Sequence, residues 1–499
     1  MNRREFLQRA GLLGGAAALG GPTLLRAAPA FAGEQPRGLL EVPAQESPID
    51  TVVVVMMENR SFDHYFGWLA DDERYLERGK RRYGRKFRVN GNTRQEFPAP
   101  DGTVVETTPW LTDSGDPNPY RGCGHPDPGH SWDSGRAQRD GGFLATGSGN
   151  DAFALGYYDP EGLPFISELG RDFTIFDRWH ASLLAATYPN RAYLHSAQSG
   201  GNKTNTVPSA TAGYDWPSIW DRLGDAGVPA GYYGTDLPTL ALWGERLLSF
   251  NNPIDTYFEQ AEAGTLPNVV FVDPAFLTGN RTDDHPHADI RAGQRFMRDV
   301  FQAFAESKHW KSGLFVLTYD EWGGFFDHVA PPVLPDDRAS TMDQENFGQA
   351  GFRVPTVLAS PYARRGFVDH HVYDHTSVLR FLEWRFLGAP AQGPGEDGDT
   401  WFLTTRDRNA RNLGASLVAE KPDRDVGFDL DLDLENPSEP CPEDGGPPLP
   451  PPSAPAPEEP AQAQGEKHSF EIAMDEGYFE QVGYEIRPSP MARGWARAG

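Results

Sequence analysis

The sequence predicts an α/β fold with a mostly parallel central sheet and helices on both faces. Several apolar runs of four to seven residues are typical of strands that are buried on both sides. Amphipathic patterns with helical spacing lie between these runs. Because strand and helix alternate over most of the chain, consecutive strands are expected to lie parallel in one sheet.

Five strands and five helices follow from these patterns in chain order. The strands are predicted at Thr51–Met57, Phe173–Phe176, Val269–Val272, Leu314–Tyr319 and Val354–Ala359. The helices are predicted at Pro164–Leu169, Arg191–Ser199, Trp216–Ala226, Ile290–Ser307 and Thr376–Phe386. Residues 68–160 are rich in Gly, Asp and Pro and are expected to form an irregular insertion over one edge.

The two ends of the chain differ from the predicted α/β domain at residues 48–420. Residues 1–32 are predicted to be a twin-arginine signal peptide, because Arg3-Arg4 precedes a short apolar stretch and a small-x-small cleavage site. Residues 421–466 form an acidic and Pro-rich linker, and residues 467–499 a short C-terminal extension of one strand or helix pair. Export to the periplasm, cell wall or medium through the twin-arginine machinery is therefore expected.

The 499 residues carry a formal net charge of −26. This charge argues against general nucleic-acid binding, because phosphate backbones are repelled, although a local metal can still attract a small phosphate ester. Outside the signal peptide no segment approaches 18 continuous apolar residues, so stable membrane insertion is not expected. The two cysteines, Cys123 and Cys441, allow at most one disulfide.

Polar residues follow two of the predicted strands directly. Glu58 and Asn59 come after the first, and Asp320 and Glu321 come after LFVLTY. In an open parallel sheet the carboxyl ends of the strands form the ligand site, so these side chains are expected to converge. Buried carboxylates favour a divalent metal. The alternative is a set of helix caps or a salt-bridge network with Arg60 and Arg191.

Thr187, in the stretch AATYPNRAYLHSA, is a candidate nucleophile. Pro189 favours the first turn of a helix, and a hydroxyl there lies in the positive field of the helix N-terminus. A metal bound to the hydroxyl oxygen would lower its pKa. The alternative is an ordinary N-cap threonine.

Five of the 13 histidines lie in loops with Gly, Pro or Asp nearby. Such histidines suit proton transfer or metal binding, and the alternative for each is a surface position. They are His130, His285, His287, His328 and His375.

Five motifs together resemble one family. ENRSFDHYFG, TYPNR, DDHP, TYDEWGGFFDHV and DHTSVLRFLEWRF are similar to motifs of the bacterial phosphoesterases related to secreted phospholipase C and a periplasmic acid phosphatase. That family belongs to the alkaline-phosphatase-like superfamily of α/β hydrolases. The resemblance covers about residues 48–390 in the family's order.

The resemblance implies roles for individual residues. The metal ligands would be Glu58, Asn59, Thr187, Asp320 and Glu321, and the ion would be one divalent cation such as Mg²⁺, Ca²⁺, Mn²⁺ or Zn²⁺. Thr187 would be the nucleophile, with catalytic histidines at His130, His285 and His375. Supporting positions around the ligands are expected at Asp63, His64, Arg191, His287, Asp327 and His328.

The function implied is hydrolysis of a phospholipid or another phosphate ester through a phosphothreonine intermediate. Alternatives are a broad-specificity acid phosphatase or phosphodiesterase, and a relative that binds phosphate or metal without turnover. Tyr188 stands where Gly is common in the family, and its ring is expected to narrow the leaving-group pocket.

Overall fold

The computed structural model describes residues 37–277, 281–393, 401–441 and 469–485. The predicted signal peptide at residues 1–32 lies outside these ranges, as does most of the Pro-rich part of the linker. Within the described residues no helix is long and apolar enough to cross a membrane.

A central sheet of eight strands carries the fold, which confirms the predicted α/β class. In chain order the strands are β1 (Thr51–Met57), β2 (Thr174–Phe176), β3 (Ala230–Gly234), β4 (Asn251–Pro253), β5 (Val269–Asp273), β6 (Gly313–Tyr319), β7 (Val357–Ala359) and β8 (Phe367–Asp369). Their order across the sheet is β8-β2-β7-β6-β1-β5-β3-β4. Every pairing is parallel except those of β7, which runs against both of its neighbours.

Thirteen α-helices flank the sheet or lie in its connections among the described residues. They are α1 (Phe62–Phe66), α2 (Glu73–Tyr83), α3 (Trp110–Asp113), α4 (Trp132–Gly141), α5 (Pro164–Asp172), α6 (Thr187–Ser196), α7 (Ile219–Asp225), α8 (Ile254–Ala263), α9 (Ile290–Glu306), α10 (Thr376–Leu387), α11 (Thr405–Asn409), α12 (Ser469–Asp475) and α13 (Tyr478–Gln481).

The strand predictions are confirmed within a few residues, and three strands were missed. β3, β4 and β8 are short and contain Gly, Asn, Asp or Pro, so they lack the apolar run that marked the other five. The predicted irregular character of residues 68–160 was wrong in part, because α2, α3 and α4 lie there together with four short strands.

The core is one large cluster of buried apolar side chains around the sheet. Every residue of β1, β5 and β6 is buried, as expected for central strands that are covered on both sides. These three strands are neighbours, so the middle of the sheet is covered on both faces, and ligands are expected at its carboxyl edge.

Candidate active site

The register of β1 against β6 brings the two acidic pairs together. Met57 pairs with Tyr319 at the end of both strands. The next residues, Glu58 and Asp320, therefore leave the sheet side by side, and the Asp320 amide donates to the Met57 carbonyl at 3.1 Å. The prediction that these pairs share one rim is confirmed.

Asn59 turns the chain sharply after β1. Its φ is +53°, in the left-handed region that asparagine tolerates better than most residues. Its amide donates to Asp320 Oδ1 at 3.2 Å. Gly323 packs against this turn, and a Cβ there would lie 2.2 Å from the Asn59 carbonyl oxygen. The glycine after the second acidic pair is thus needed for the first pair to sit beside it.

Three carboxylates are fully buried in the site. Burial raises the pKa of Glu58, Asp320 and Glu321, and Asp320 raises the pKa of its two neighbours further. The nearby Arg191 opposes the shift for Glu58 and Asp320. So many buried acids in one place are costly unless positive charge compensates them.

Arg191 supplies part of that positive charge. Its guanidinium contacts Glu58 Oε1 at 2.7 Å, Asp273 Oδ1 at 3.0 Å and Asp320 Oδ2 at 3.6 Å. One guanidinium cannot neutralise four carboxylates, counting Glu321. The salt-bridge alternative is therefore correct for Arg191 but incomplete, whereas Arg60 donates to the carbonyls of Asp284 and His285 instead.

Four buried polar atoms in this cluster have no hydrogen-bond partner. They are Asn59 Oδ1, Asn59 Nδ2, Asp320 Oδ2 and Glu321 Oε1. Buried polar atoms are nearly always satisfied, so these three oxygens and one amide nitrogen call for an explanation. Oxygen donors of this kind are the ligands of hard divalent cations, and the donor set therefore fits the expected metal.

Thr187 lies against this cluster at the start of α6. Its Oγ1 donates to Glu58 Oε2 at 3.3 Å. The N-cap alternative was wrong, because Ala186 is the N-cap and Thr187 is the first residue of the helix. The preceding loop is held by Asn190, whose side chain bonds the backbone of Leu183, Ala185 and Ala186.

His285 reaches the site from the loop after β5. Its Nδ1 lies 3.0 Å from Asp283 Oδ2, and its Nε2 lies 3.3 Å from Glu58 Oε2. The ring is thus held between two carboxylates, next to the oxygen that Thr187 also contacts. This placement suits a group that moves a proton.

His130 and His375 lie on the side of Asp320. His130 Nδ1 donates to the Pro128 carbonyl at 2.8 Å, and the electrostatic effect of its ring lowers the pKa of Glu321 and of Asp320. His375 Nε2 donates to the Asp320 carbonyl at 2.6 Å, and its Nδ1 accepts from Trp179 at 3.4 Å. Burial lowers the pKa of His375 to about 4, so this ring stays neutral and positions the backbone of Asp320.

A second polar group lies around Asp63, Asp327 and His328. The ligand atoms of these three residues are close enough together to bind a metal. However, Arg353 contacts Asp63 Oδ1 at 3.0 Å and Asp327 Oδ1 at 2.9 Å. Because a guanidinium already compensates both acids, the contacts favour a structural ion network, and the expected supporting role of these residues stays a prediction.

His64 and His287 bond to loop backbone rather than to the ligand cluster. His64 Nδ1 donates to the Gly156 carbonyl at 2.6 Å, and burial lowers its pKa. His287 Nε2 donates to the His125 carbonyl at 3.0 Å. Of the two histidines in the HPH triplet, His285 is therefore the one at the site.

Sequence reasoning missed Asp273, Asp283 and Arg353 as parts of the site and its surroundings. Asp273 ends β5, so the rule that found Glu58 and Asp320 would also have found it. Asp283 and Arg353 lie in loops, and no local pattern marks their long-range partners.

The ring of Tyr188 is fully buried, and its expected narrowing of the leaving-group pocket stays a prediction. The backbone amide of Tyr188 donates to Asn205 Oδ1 at 2.9 Å. The ring packs edge-on against Phe470 of α12. Packing within the protein therefore explains the bulky residue beside Thr187.

The fold and the site define an α/β protein with a buried cluster of oxygen donors and a hydroxyl at the carboxyl edge of its sheet. Comparison with known sequences agrees with this class and is more specific. The chain belongs to the phosphoesterase family, whose model matches residues 49–387, and the suspected resemblance is confirmed.

Several similar proteins are named as phospholipases C. Non-specific phospholipase C1 of Arabidopsis thaliana is 32% identical over an alignment of 370 positions, which covers 67% of this chain and 66% of the relative. Non-hemolytic phospholipase C of Burkholderia pseudomallei is 29% identical over an alignment that covers 77% of this chain and 61% of that relative. Phospholipase C B of Mycobacterium tuberculosis (strain H37Rv) is 28% identical over an alignment that covers 78% of this chain and 82% of that relative. The match thus spans about two thirds of the first of these relatives.

Among solved structures, a protein in the alkaline phosphatase superfamily from Vibrio parahaemolyticus overlaps with a TM-score of 0.30 at 10% identity. The overlap covers 44% of this chain and 60% of that chain.

Proposed function

We propose that this protein is a metal-dependent phosphoesterase that cleaves phosphodiester bonds in the manner of a phospholipase C. One observation carries the proposal. The Thr187 hydroxyl lies 3.3 Å from Glu58 Oε2, beside buried oxygens of Asn59, Asp320 and Glu321 that no donor satisfies. Membership of the phosphoesterase family supports it.

The ion would be held by Glu58, Asn59, Thr187, Asp320 and Glu321. Oxygen donors favour Mg²⁺, Ca²⁺ or Mn²⁺, and the neighbouring histidines also admit Zn²⁺. Such an ion, when bound, lowers the pKa of the hydroxyl and offsets negative charge on the phosphoryl oxygens.

The proposed reaction has two steps. Thr187 loses its proton to water, Oγ1 bonds to phosphorus, and the bond from phosphorus to the alcohol breaks. The departing alkoxide takes a proton from His285, whose ring is oriented by Asp283. Water then attacks the phosphothreonine and returns a proton to His285, and Thr187 leaves as a hydroxyl once it regains a proton from water.

The other residues of the site act by position and charge. Arg191 holds Glu58 and Asp320 in place, and neutral His375 fixes the backbone of Asp320. Charge stabilisation and alignment supply most of the rate enhancement in phosphoryl transfer.

A panel of chromogenic phosphate mono- and diesters and phosphatidylcholine, assayed with and without a chelator, tests this function. We expect diester and lipid hydrolysis that the chelator abolishes and a divalent metal restores. Turnover of monoesters alone would support the acid phosphatase alternative. Metal binding without any turnover would contradict the proposal and favour a non-catalytic relative.

We also propose that the protein is exported by the twin-arginine route. The Arg3-Arg4 pattern supports this, and so does the disulfide between Cys123 and Cys441, because disulfides persist in oxidising compartments. Replacing both arginines by lysine in the full chain should retain the protein in the cytoplasm. Undiminished export of that variant would contradict the route.

A further inference from the structure

The C-terminal helices α12 and α13 pack into the main core of the protein. Their buried side chains are Phe470, Ala473, Tyr478 and Phe479, and Val482 is buried directly after α13. The Tyr478 hydroxyl donates to the Ala241 carbonyl at 2.7 Å, and the Tyr484 hydroxyl donates to the Asp236 carbonyl at 2.8 Å. The described part of the C-terminal extension is thus an integral part of the α/β unit.

Phe470 brings this segment to the back of the active site. Its ring stacks on Phe276 with centroids 4.0 Å apart and an interplanar angle of 15°. It also meets the ring of Tyr188 edge-on at 5.5 Å. Tyr188 directly follows the proposed nucleophile, so Phe470 contacts the first turn of α6 as well as the loop after β5.

The stacked pair Phe276–Phe470 lies against the guanidinium of Arg191. The Arg191 Cζ atom is 4.9 Å from the Phe276 centroid and 6.0 Å from the Phe470 centroid. The same guanidinium holds Glu58 at 2.7 Å and Asp320 at 3.6 Å. An aromatic face stabilises a cation and excludes water, which strengthens the ion pairs on its other side.

We propose that Phe470 is a positioning residue for the metal site. It acts through Phe276 and Arg191, which together fix the carboxylates of Glu58 and Asp320. This inference rests on the proposed function, because the metal site is part of that proposal. Residues that support ligands from behind typically change metal affinity or activity 10- to 100-fold.

A purely structural role predicts a different result. A buried phenylalanine anywhere in the core lowers stability when it is truncated. Only a positioning residue should also weaken metal binding in the protein that remains folded. Phe304 is a matched control, because its buried ring packs against Trp310 and Phe315 near the amino end of β6, opposite the site.

The experiment compares Phe470→Ala with Phe304→Ala in the full chain. Titration calorimetry measures Mn²⁺ binding to metal-free protein, steady-state kinetics with a chromogenic diester gives kcat and KM, and thermal unfolding gives Tm. For Phe470→Ala we expect Mn²⁺ affinity and kcat to fall about 10-fold or more, with KM changed less than about 3-fold. For Phe304→Ala we expect a lower Tm with affinity and kcat within about 2-fold of wild type.

The inference would be overturned if Phe470→Ala lowered Tm without weakening Mn²⁺ binding, or if both variants lost the same amount of Mn²⁺ affinity. If either alanine variant fails to fold, Phe470→Leu and Phe304→Leu decide in the same way, with a fall in affinity of about 3-fold or more expected only for Phe470→Leu. A wild-type protein that neither binds Mn²⁺ nor turns over the diester contradicts the proposed function itself. If the wild type is active and Phe470→Ala binds Mn²⁺ with wild-type affinity, only the proposed role of Phe470 is contradicted.

Discussion

Among single residues, Thr187 gives the prediction with the largest expected effect on activity. Thr187→Ala removes the attacking oxygen while leaving the buried backbone of α6 unchanged. We therefore expect turnover of a diester to fall by at least about 10³-fold, because the other residues of the site cannot replace a nucleophile. Initial rates together with thermal unfolding check this, since the variant should stay folded.

Thr187→Ser is the matched control for this variant. It keeps a hydroxyl in the same place and should retain measurable activity. Denaturing the serine or wild-type enzyme during turnover should trap a phosphorylated residue at position 187, detectable by mass spectrometry. Near-normal activity of Thr187→Ala would show that Thr187 is not the nucleophile.

Asn59 combines a strained backbone with an unsatisfied side chain, and two substitutions separate these features. Asn59→Gly tolerates the φ of +53° but removes the amide, whereas Asn59→Ala removes the amide and strains the turn by about 1 kcal/mol. We expect both variants to bind Mn²⁺ about 10-fold more weakly. Only Asn59→Ala should also unfold at lower urea concentration. If Asn59→Gly binds Mn²⁺ as tightly as the wild type, the side-chain amide is not a metal ligand and only the backbone conformation matters at this position.

The residues at strand ends were predictable, and those in long loops were not. Glu58, Asn59, Asp320 and Glu321 follow apolar strands, and a parallel sheet brings such positions to one edge. Asp283 reaches the site only because the Glu58 amide donates to its carbonyl at 2.8 Å across the top of the sheet. No local sequence pattern encodes a contact of that range.

At the level of elements, the start of α6 was predicted from one local signal and missed by another. The apolar pattern predicted a helix from Arg191, whereas Pro189 indicated a first turn near Thr187, where the observed helix begins. The side chain of Asn190 ties the preceding loop to the helix, which places the Thr187 hydroxyl at Glu58.

The loop element around Arg353 gives a prediction about stability. Arg353→Met leaves Asp63 and Asp327 buried without their guanidinium, and burial already raises the pKa of Asp327 to about 6. Breaking a buried pair from one side costs about 3–5 kcal/mol. Urea unfolding at pH 7 should show this loss, and lower pH should reduce it because protonation removes the uncompensated charge. An unchanged free energy of unfolding would mean that the network is not a structural one.

On the scale of the whole molecule, the central strands were predictable because they are apolar throughout. β1, β5 and β6 are fully buried and carry clear runs of Val, Leu, Phe and Met. The edge strands β4 and β8 are three residues long and mixed in character, so nothing separated them from loops. The reversed direction of β7 was equally invisible, because residue patterns do not report strand direction.

His125 makes the stability of the molecule depend on pH. Burial lowers its pKa, but bonds to Asp116 and Asp151 outweigh this and raise the pKa to about 9. A raised pKa stabilises the fold fully below pH 6.5 and loses that contribution as pH rises through about 9. The free energy of unfolding should fall by about 3 kcal/mol between pH 6.5 and 10. In His125→Gln this part of the pH dependence should be absent. If the free energy of unfolding changed with pH in the same way in both proteins, His125 would not be the group responsible.

The disulfide joins positions that are 318 residues apart, and its effect should lie mainly in the unfolded chain. In the folded protein the same region is also held by Arg121, which donates to the carbonyls of His287 and Ser438, and by the Ser438 amide, which donates to Asp289. The double variant Cys123→Ser/Cys441→Ser should therefore keep its native structure and diester activity at 25 °C. Its free energy of unfolding should drop by about 3–5 kcal/mol, because a long loop is no longer closed in the unfolded state. Urea unfolding and kcat measured on the same preparation test both statements, and lost activity in the folded variant would show that the bridge also supports the site.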